Sequence, residues 1–372
     1  MSVYRPEILF ISFCLITAVQ LFYYLYFFIR LALYKKPQQE SSMQHAVSVI
    51  VCARDEAQNL AENLPDILQQ EYPSTFEVVA VNDNSFDDSK YVLEYLSKPF
   101  RNLRPIELKQ EAQHIHGKKF PLSVGIKEAK HELLLLTDAD CKPASKQWIV
   151  HMQHAFSNGK EIALGYGAYL KKPGLLNKLI RFETYLSALQ YLSYALAGKP
   201  YMGVGRNLAY KKELFFRNKG FSSHSQLPGG DDDLFINKVA TKNNTAIVID
   251  PDAFTFSEPK TSWSAWRSQK TRHYTTSKYY KASHKFLLGL FSLSHVLFYP
   301  LLAASILFFN WWIALSVFGL RLLVQGFIYY RTMNKLDEKD LFWLYPLLDI
   351  WQWFYYLFFA TTLFKKPKAN WK

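Results

Sequence analysis

The chain has 372 residues and a formal net charge of +13, from 44 Lys and Arg residues against 31 Asp and Glu. Aromatic residues make up 17% of it, which excludes a disordered chain, and three scattered cysteines exclude a disulfide scaffold. A mean hydropathy of −0.09 excludes a chain made only of membrane helices but permits a soluble domain joined to membrane segments. The positive charge leaves three kinds of partner: a nucleic acid, an anionic membrane surface or a phosphate-bearing substrate.

The N-terminal region contains an uncharged stretch, residues 8–29, that is long enough to cross a hydrocarbon core of about 30 Å as a helix. It is too long for a signal peptide and lacks a small-residue cleavage site, so residues 1–36 are predicted to be an uncleaved anchor. Arg30, Lys35 and Lys36 follow directly. Because basic residues accumulate on the cytoplasmic side, we expect the N-terminus outside and the chain after residue 36 inside.

Residues 44–258 have the composition of a globular domain in which strands and helices alternate. The apolar runs 47–53, 77–81 and 133–136 are typical of buried strands, and segments with helical periodicity separate them. This order predicts an α/β domain with a Rossmann-like, mostly parallel sheet. Ligands of such sheets lie at the carboxyl ends of the strands, so the residues that follow each strand are the informative ones.

Polar clusters follow all three of these strands. Any one of them could simply cap the next helix, but three at one edge of a sheet favour a binding site. They are residues 54–56 (Arg-Asp-Glu), residues 82–88 (Asn-Asp-Asn-Ser-Phe-Asp-Asp) and residues 137–141 (Thr-Asp-Ala-Asp-Cys).

Asp138 and Asp140 have a specific chemical use. A hard divalent cation prefers oxygen ligands, and two carboxylates on a tight turn can hold one while leaving positions for a diphosphate. Such a cation, Mg²⁺ or Mn²⁺, would neutralise charge on a phosphate leaving group. The alternative is a solvated turn.

Two further segments could contact a ligand. Lys118 precedes a helix, where it could meet a phosphate or belong to a solvated basic turn. The second segment places Pro-Gly-Gly before three aspartates, residues 231–233, which indicates either a mobile loop that delivers a carboxylate or an acidic first helical turn. Crowding of these carboxylates should raise at least one pKa, which suits a general base.

The C-terminal part contains an aromatic and basic segment, residues 259–285, followed by apolar stretches. An interfacial helix is one interpretation of residues 259–285. The apolar stretches are residues 286–309, 311–330 and 341–364.

The apolar stretches carry two ionisable residues, Arg321 and Asp349, which either pair with each other or snorkel to an interface. Four crossings in all would place the C-terminus outside, whereas the basic tail, residues 365–372, indicates the cytoplasm. We therefore expect one segment within 286–364, most of all the last, to be re-entrant or interfacial. The basic residues of the tail are Lys365, Lys366, Lys368 and Lys372.

The order of these motifs, from about Val47 to His273, resembles the family 2 glycosyltransferases. These are inverting nucleotide-sugar enzymes of the GT-A fold that include cellulose, hyaluronan and chitin synthases and dolichyl-phosphate mannose synthase. Residues 82–85 resemble the family's D-D-x-S with Asn82 in place of the first Asp, and residues 117–125 resemble G-K-x-x-A-L-x-x-G with Pro121 in place of Ala. Residues 269–273 resemble Q-x-x-R-W with a final His.

The resemblance implies a role for each matching residue. Donor-binding roles fall to Ala53, Arg54, Asp55, Glu56, Asp83, Ser85, Lys118 and Asp138. Asp138 and Asp140 are implied to bind the cation, and the acceptor side comprises Gly205, Asn207 and His273. Catalytic roles fall to Asp231, Asp232, Gln269 and Arg272, with Asp232 our first choice of base.

We therefore expect an integral membrane enzyme with a cytoplasmic catalytic domain. It would move a sugar from a nucleotide-diphosphate sugar to a hydroxyl of a lipid-linked or polysaccharide acceptor. The alternatives are a processive polysaccharide synthase of the same family, a membrane transport component and a nucleic-acid binder. The last is disfavoured because much of the positive excess flanks membrane segments and the sequence shows no recognised nucleic-acid-binding motif.

Overall fold

The computed structural model describes residues 6–36, 44–109, 117–156 and 159–364, with only the backbone at 363 and 364. The basic residues of the predicted cytoplasmic tail, Lys365, Lys366, Lys368 and Lys372, lie outside the described residues.

A seven-stranded sheet in the order β3-β2-β1-β4-β8-β6-β9 forms the centre of the α/β domain. Only β8 runs antiparallel to its neighbours β4 and β6, so the predicted mostly parallel sheet is confirmed. A second sheet has the order β5-β10-β7. The strands are β1 Val47–Ala53, β2 Phe76–Asp83, β3 Leu103–Leu108, β4 Leu133–Asp138, β5 Cys141–Pro143, β6 Ile162–Leu164, β7 Gly167–Tyr169, β8 Leu208–Lys211, β9 Thr245–Ile247 and β10 Thr255–Ser257.

Besides short 3₁₀ helices, the described residues form twelve α-helical segments, numbered in chain order, that surround the sheet and continue beyond it. The first of them includes a π-helical turn at Tyr23–Phe28. Their bounds are α1 Pro6–Ala32, α2 Ala57–Leu68, α3 Ser89–Ser97, α4 Lys119–Glu128, α5 Trp148–His154, α6 Leu175–Leu196, α7 Lys212–Arg217, α8 Asp233–Val239, α9 Trp263–Ser277, α10 Ala282–Phe308, α11 Trp311–Lys335 and α12 Tyr345–Ala360.

The core follows from the strand sequences. Strand β1 is buried along its whole length, as the unbroken apolar run predicts for a strand covered on both faces. Helix α2 packs one apolar stripe, Leu60, Leu64 and Ile67, against one face of the sheet, and α4 contacts β1 and β2. Helices on both faces leave the carboxyl edge of the strands open to loops.

Three helices, α1, α10 and α11, are long and apolar enough to cross a membrane. The predicted last stretch, residues 341–364, is instead divided: α12 has only 16 residues and begins beside Pro346, whose fixed φ favours a helix start. The far end of α12 packs on α9, because the Phe359 ring lies 5.8 Å from that of Trp266 and 5.5 Å from that of Tyr274.

The α/β domain and the long helices are joined by α6. Tyr194 of α6 stacks on Phe27 of α1 with 4.3 Å between ring centroids. Buried Arg181, also on α6, donates hydrogen bonds to Glu338 (2.9 Å) and Asp340 (2.9 Å) in the connection between α11 and α12. Charged contacts of this kind fix that connection on the same side of the helix bundle as the α/β domain.

The predicted pairing of Arg321 and Asp349 is confirmed. Arg321 donates to the two carboxylate oxygens at 2.5 and 3.1 Å, and neither side chain is more than 2% exposed. Gln20 accepts from the Arg321 Nε–H at 2.7 Å, and Tyr299 donates to Asp349 at 2.6 Å. Because both side chains are completely buried, neither of them snorkels to an interface. Arg321 and Asp349 belong instead to a polar network among four helices.

Candidate active site

The three polar clusters meet at the carboxyl edge of the sheet. In the strand register Ala53 lies opposite Asn82, and Cys52 lies opposite Asp138. The segments that leave β1, β2 and β4 therefore start at one level, next to each other. This arrangement brings the predicted donor-binding and metal-binding residues into one site.

The loops after β1 and β2 hold each other in place. The backbone N–H of Asp55 donates to Ser85 Oγ at 2.9 Å, and the Asp55 carboxylate accepts from the Phe86 N–H at 2.8 Å. The N–H of Glu56 donates to Ser89 at 3.0 Å. Because Asp55 has a φ of 52°, the chain turns sharply after Arg54. Residues 54–56 and 83–85 of the two loops thus form one short polar surface, called the ledge below.

The contacts of Asn82 explain why an amide stands where the family pattern has an Asp. Its amide nitrogen donates to both Glu107 carboxylate oxygens at 3.0 Å, and its amide oxygen accepts from the Ser85 hydroxyl. A carboxylate at this position would face Glu107 with like charge. The neighbouring Asp83 forms an ion pair with Arg54, with 3.8 Å between Nη1 and Oδ2.

Asp138 and Asp140 follow β4 and converge with Cys141, so that one ligand atom of each lies within 4.8 Å of the other two. Burial raises the pKa of the Cys141 thiol, which lies 3.0 Å from the Ser257 hydroxyl, so the thiol stays protonated. The two carboxylates are thus the available ligands, and oxygen ligands suit Mg²⁺ or Mn²⁺. The ammonium of Lys118 contacts Asp138 and already places a positive charge there.

The two carboxylates differ electrostatically. Despite burial, Lys118 with further help from Arg206 and Arg272 keeps the pKa of Asp138 below its usual range. Burial and the adjacent Asp138 raise the pKa of Asp140, while Arg206 opposes the rise. A carboxylate that is crowded in this way gains most from a cation, so the residues fit a divalent metal.

Arg206 is a site residue that the sequence reasoning missed. Its guanidinium lies 4.3 Å from the centre of the Tyr169 ring and donates to the Ala168 carbonyl at 3.1 Å and Ser257 Oγ at 3.3 Å. The signal was its place between Gly205 and Asn207, which the resemblance assigns to the acceptor side. Tyr169 carried no usable signal, because its strand has only three residues.

The three aspartates before and at the start of α8 have separate surroundings. The Asp232 carboxylate accepts hydrogen bonds from the Gly205 N–H and the Asp233 N–H, both at 2.7 Å. Buried Asp233 accepts from Thr276 at 2.5 Å and Tyr280 at 2.8 Å and so attaches α9 to this loop. The Asp231 carboxylate accepts no hydrogen bond from any residue within the described ranges.

Asp232 has the properties of a general base. Burial, together with the charges of Asp231 and Asp233, raises its pKa to about 8. The two backbone N–H groups oppose this rise without cancelling it. A carboxyl group with a pKa near working pH can take a proton and release it again.

Helix α9 contributes the last group of predicted residues. Gln269 donates to the Tyr169 hydroxyl at 3.1 Å, which places it beside Arg206. Arg272 and His273 are exposed, and the charge of Arg272 lowers the pKa of Asp138. The helix thus lies between Tyr169 and the aspartate loop, because its Thr276 also bonds Asp233.

Two predicted acceptor-side residues are placed differently. Gly205 contacts Asp232, and an added Cβ would lie 3.3 Å from its carboxylate oxygen. Asn207 is fully buried, and its amide bonds Trp148, Tyr166 and Ala253. Asn207 therefore attaches residues 203–207 to the buried residues around it. A direct contact between Asn207 and an acceptor stays a prediction.

Residues 48–216 match the family model described as glycosyl transferase family 2. The chain is 32% identical over 104 residues to the glycosyltransferase AglE of Haloferax volcanii, covering 28% of this chain and 33% of that protein. It is 30% identical over 115 residues to a beta-monoglucosyldiacylglycerol synthase of Nostoc sp., covering 31% of this chain and 24% of the synthase. The matches thus span a third or less of these relatives.

Among solved structures, the chain resembles the mannosyltransferase PcManGT of Pyrobaculum calidifontis, determined in complex with GDP-Man and Mn²⁺. The TM-score is 0.59 at 18% identity, and the alignment covers 93% of this chain and 99% of the mannosyltransferase. At this identity the likeness establishes the fold, and the predicted GT-A architecture is confirmed.

Proposed function

Because the chain belongs to glycosyltransferase family 2 through residues 48–216, we propose that it transfers a sugar from a nucleotide-diphosphate sugar to an acceptor hydroxyl at a membrane. One observation carries the proposal. Asp138 and Asp140 converge at the carboxyl edge of the sheet, with Lys118 on one of them and Arg206 beside both. This charge pattern suits a metal-bound diphosphate. The GDP-Man and Mn²⁺ of the mannosyltransferase complex support it.

The donor site is assigned to the ledge after β1 and β2. Arg54, Asp55 and Glu56 from one loop and Asp83 and Ser85 from the other would hold the nucleoside, and Ala53 ends the strand beneath them. The mutual hydrogen bonds of these loops keep the ledge preformed, which reduces the ordering cost of binding.

The reaction is a single displacement with inversion. Asp138 and Asp140 would hold the divalent cation, which would supply neutralisation of the charge on the leaving diphosphate. Lys118 and Arg272 stabilise the same charge electrostatically. Asp232 takes the proton of the acceptor hydroxyl, and the hydroxyl oxygen attacks the anomeric carbon from the face opposite the diphosphate. Gln269 donates a hydrogen bond to the Tyr169 hydroxyl and would hold α9 beside Arg206 during the reaction.

The acceptor is assigned to a lipid-linked or glycan substrate at the bilayer. Three helices of the chain are long and apolar enough to span a membrane, and one relative is named for synthesis of a glucosyl-diacylglycerol. Gly205 and His273 lie on the acceptor side of the cleft in this assignment. The proposed function assigns no role to a nucleic acid.

The membrane orientation follows from the distribution of charge. Lys36 pairs with Asp250 at 2.5 Å, and Lys335 donates to the Tyr34 carbonyl at 2.6 Å, so the basic ends of α1 and α11 lie on the α/β side. The opposite turn, around Asn310, is flanked by Trp311 and Trp312. By the positive-inside rule the catalytic domain is cytoplasmic.

Three crossings would remove the conflict between an outside C-terminus and the basic tail that four crossings create. With α12 returning to α9, the N-terminus is outside and the chain after α12 is inside. A reporter fused after Lys372 is expected to be accessible from the cytoplasm. Accessibility from the opposite side only would contradict this assignment.

The proposed function is tested on the detergent-purified full chain with Mn²⁺ and a panel of UDP- and GDP-sugars. Diacylglycerol, polyprenyl phosphate and short glycans serve as candidate acceptors. We expect release of nucleoside diphosphate from at least one donor and an inverted anomeric configuration in the product, measured by NMR. A panel without turnover would refute the assignment, and a retained configuration would refute the mechanism.

A further inference from the structure

Residues 117–119, at the start of α4, lie between the two halves of the proposed active site. Lys118 reaches the donor side, where its ammonium contacts Asp138. Its two neighbours, Gly117 and Lys119, reach the other way, toward the loop that leads into Asp232. The segment is the start of a helix whose remaining turns pack on β1 and β2.

Lys119 makes an unusual contact for a lysine. Its side chain is completely buried, and its ammonium donates to the carbonyl oxygen of Leu227. Burial lowers its pKa, although the charges of the three aspartates at 231–233 oppose the shift. Burying an ammonium is unfavourable unless it is paired or hydrogen-bonded, so this contact has a physical cost that a leucine or methionine would not have.

Gly117 reinforces the same junction through the backbone. It has a φ of +70°, and an added Cβ would lie 2.1 Å from the Pro228 carbonyl oxygen. Only glycine allows the two chains to approach this closely. Residues 117–119 and 227–228 are therefore attached at two adjacent points.

The loop that receives these contacts contains two adjacent glycines. It contains Gly229 and Gly230, the second with a φ of +94°, directly before the aspartates. Glycines of this kind serve as hinges because they absorb backbone rotation. Without the contacts from residues 117–119, the position of Asp232 would depend on its own hydrogen bonds to Gly205 and Asp233.

We propose that Lys119 is a positioning residue that couples donor binding to the placement of Asp232. The inference rests on the proposed function, since Lys118 leaves Asp138 for the diphosphate when a cation and donor bind. A displacement at Lys118 moves the adjoining Lys119, and the Leu227 contact transmits it to the base-bearing loop. The residue touches neither substrate nor metal and acts through the loop.

The test compares Lys119→Met, which keeps the buried volume but removes the hydrogen bond, with Lys119→Arg, which keeps a donor. Lys127→Met is the matched control, because Lys127 is an exposed lysine of the same helix. We expect K119M to lower kcat at least tenfold and change the donor KM less than twofold, and K119R to recover part of the rate. An unchanged kcat, or a change in KM alone, would overturn the proposal.

Hydrogen exchange separates positioning from general destabilisation. In K119M the amides of residues 225–233 should exchange faster, and Mn²⁺ with GDP or UDP should no longer slow them as in the wild-type chain. Faster exchange throughout β1 and β4 would mean a structural role and overturn the proposal. If the wild-type chain turns over no donor, the proposed function fails, and the exchange difference between K119M and K127M at 225–233 still decides whether Lys119 holds this loop.

Discussion

The helix bundle and the sheet edge both bring arginine or lysine together with aspartate, but they do so differently. In the bundle, Arg321 and Asp349 are each completely buried and bonded by neighbouring side chains. At the sheet edge, Asp138 and Asp140 crowd each other, only one of them contacts a lysine, and both keep partial exposure.

The difference separates charges that serve structure from charges that serve chemistry. A buried ion pair with every donor and acceptor satisfied gains nothing from a further ligand. Crowded carboxylates beside a cleft gain from a cation or a proton. Substitutions in the two regions should therefore affect different quantities.

The largest effect on the transfer rate is expected for Asp232→Asn, which removes the base and keeps one of its two hydrogen bonds to the Gly205 and Asp233 N–H groups. A general base contributes about 10²–10⁴-fold, so kcat should fall about 10³-fold while the donor KM changes little. Asp231→Asn is the matched control, with a fall of about tenfold. Steady-state release of nucleoside diphosphate measures both. A reversed order of the two variants would move the role of base to Asp231.

The pH dependence has a definite sign. The pKa of Asp232 is raised to about 8, so below that pH the carboxyl group is mostly protonated and cannot take a proton. The rate should rise with pH and level off above about 8. In D232N this rise should disappear. A wild-type profile that is flat between pH 6 and 8 would exclude Asp232 as the base.

The next effect is expected for Asp140→Ala, which removes one of two cation ligands. The transfer rate should fall about 10²-fold, because the charge on the leaving diphosphate loses its main stabilisation. Glu94→Ala, an exposed position on α3, is the control and should keep the wild-type rate. Titration of the rate with Mn²⁺ measures the change, and EDTA should abolish the wild-type rate. A rate in D140A equal to that of E94A would disprove the cation site.

A smaller effect is expected for Asn82→Asp, because the new carboxylate would face Glu107. Repulsion should displace the donor ledge and weaken donor binding about tenfold. The double variant N82D/E107Q should restore most of the affinity, because one of the two groups is again an amide. Equal donor affinity in N82D and the wild-type chain would show that the pair has no part in binding.

The smallest effect on the rate per folded molecule is expected for Asp349→Asn in the bundle. Removing one partner of a buried pair costs about 3–5 kcal/mol of stability, so the Tm should fall clearly. The double variant R321M/D349L, which leaves no unpaired charge, should be closer to the wild-type Tm. Thermal unfolding in detergent measures both. A slower rate with an unchanged Tm would assign chemistry to this pair and undo the comparison.

The sequence was sufficient where a signal was local. The unbroken apolar run of β1 and the Asp138-x-Asp140 turn needed only neighbouring residues to be interpreted. Arg206 and Tyr169 were missed because their stacking depends on the packing of short strands that are distant in sequence. The different environments of Asp231, Asp232 and Asp233 are also tertiary, since Gly205, Thr276 and Tyr280 create them.

The same limit applies to the last apolar stretch. Composition alone predicts a membrane segment for residues 341–364, although Tyr355 and Phe359 of α12 pack on Trp266 of α9 in one hydrophobic cluster. The clue was electrostatic: a basic tail that four crossings could not accommodate. The charge argument singles out this segment as re-entrant or interfacial, and that interpretation stays a prediction.

The central claim is that Asp138 and Asp140 bind a divalent cation together with a nucleoside diphosphate. Electron paramagnetic resonance of Mn²⁺ added to the purified full chain tests this without requiring turnover. We predict one bound Mn²⁺ per chain in the wild-type protein with GDP or UDP, and much weaker Mn²⁺ binding in D140A at the same concentration. Equal Mn²⁺ binding in both proteins, or binding that neither nucleotide strengthens, would contradict the account.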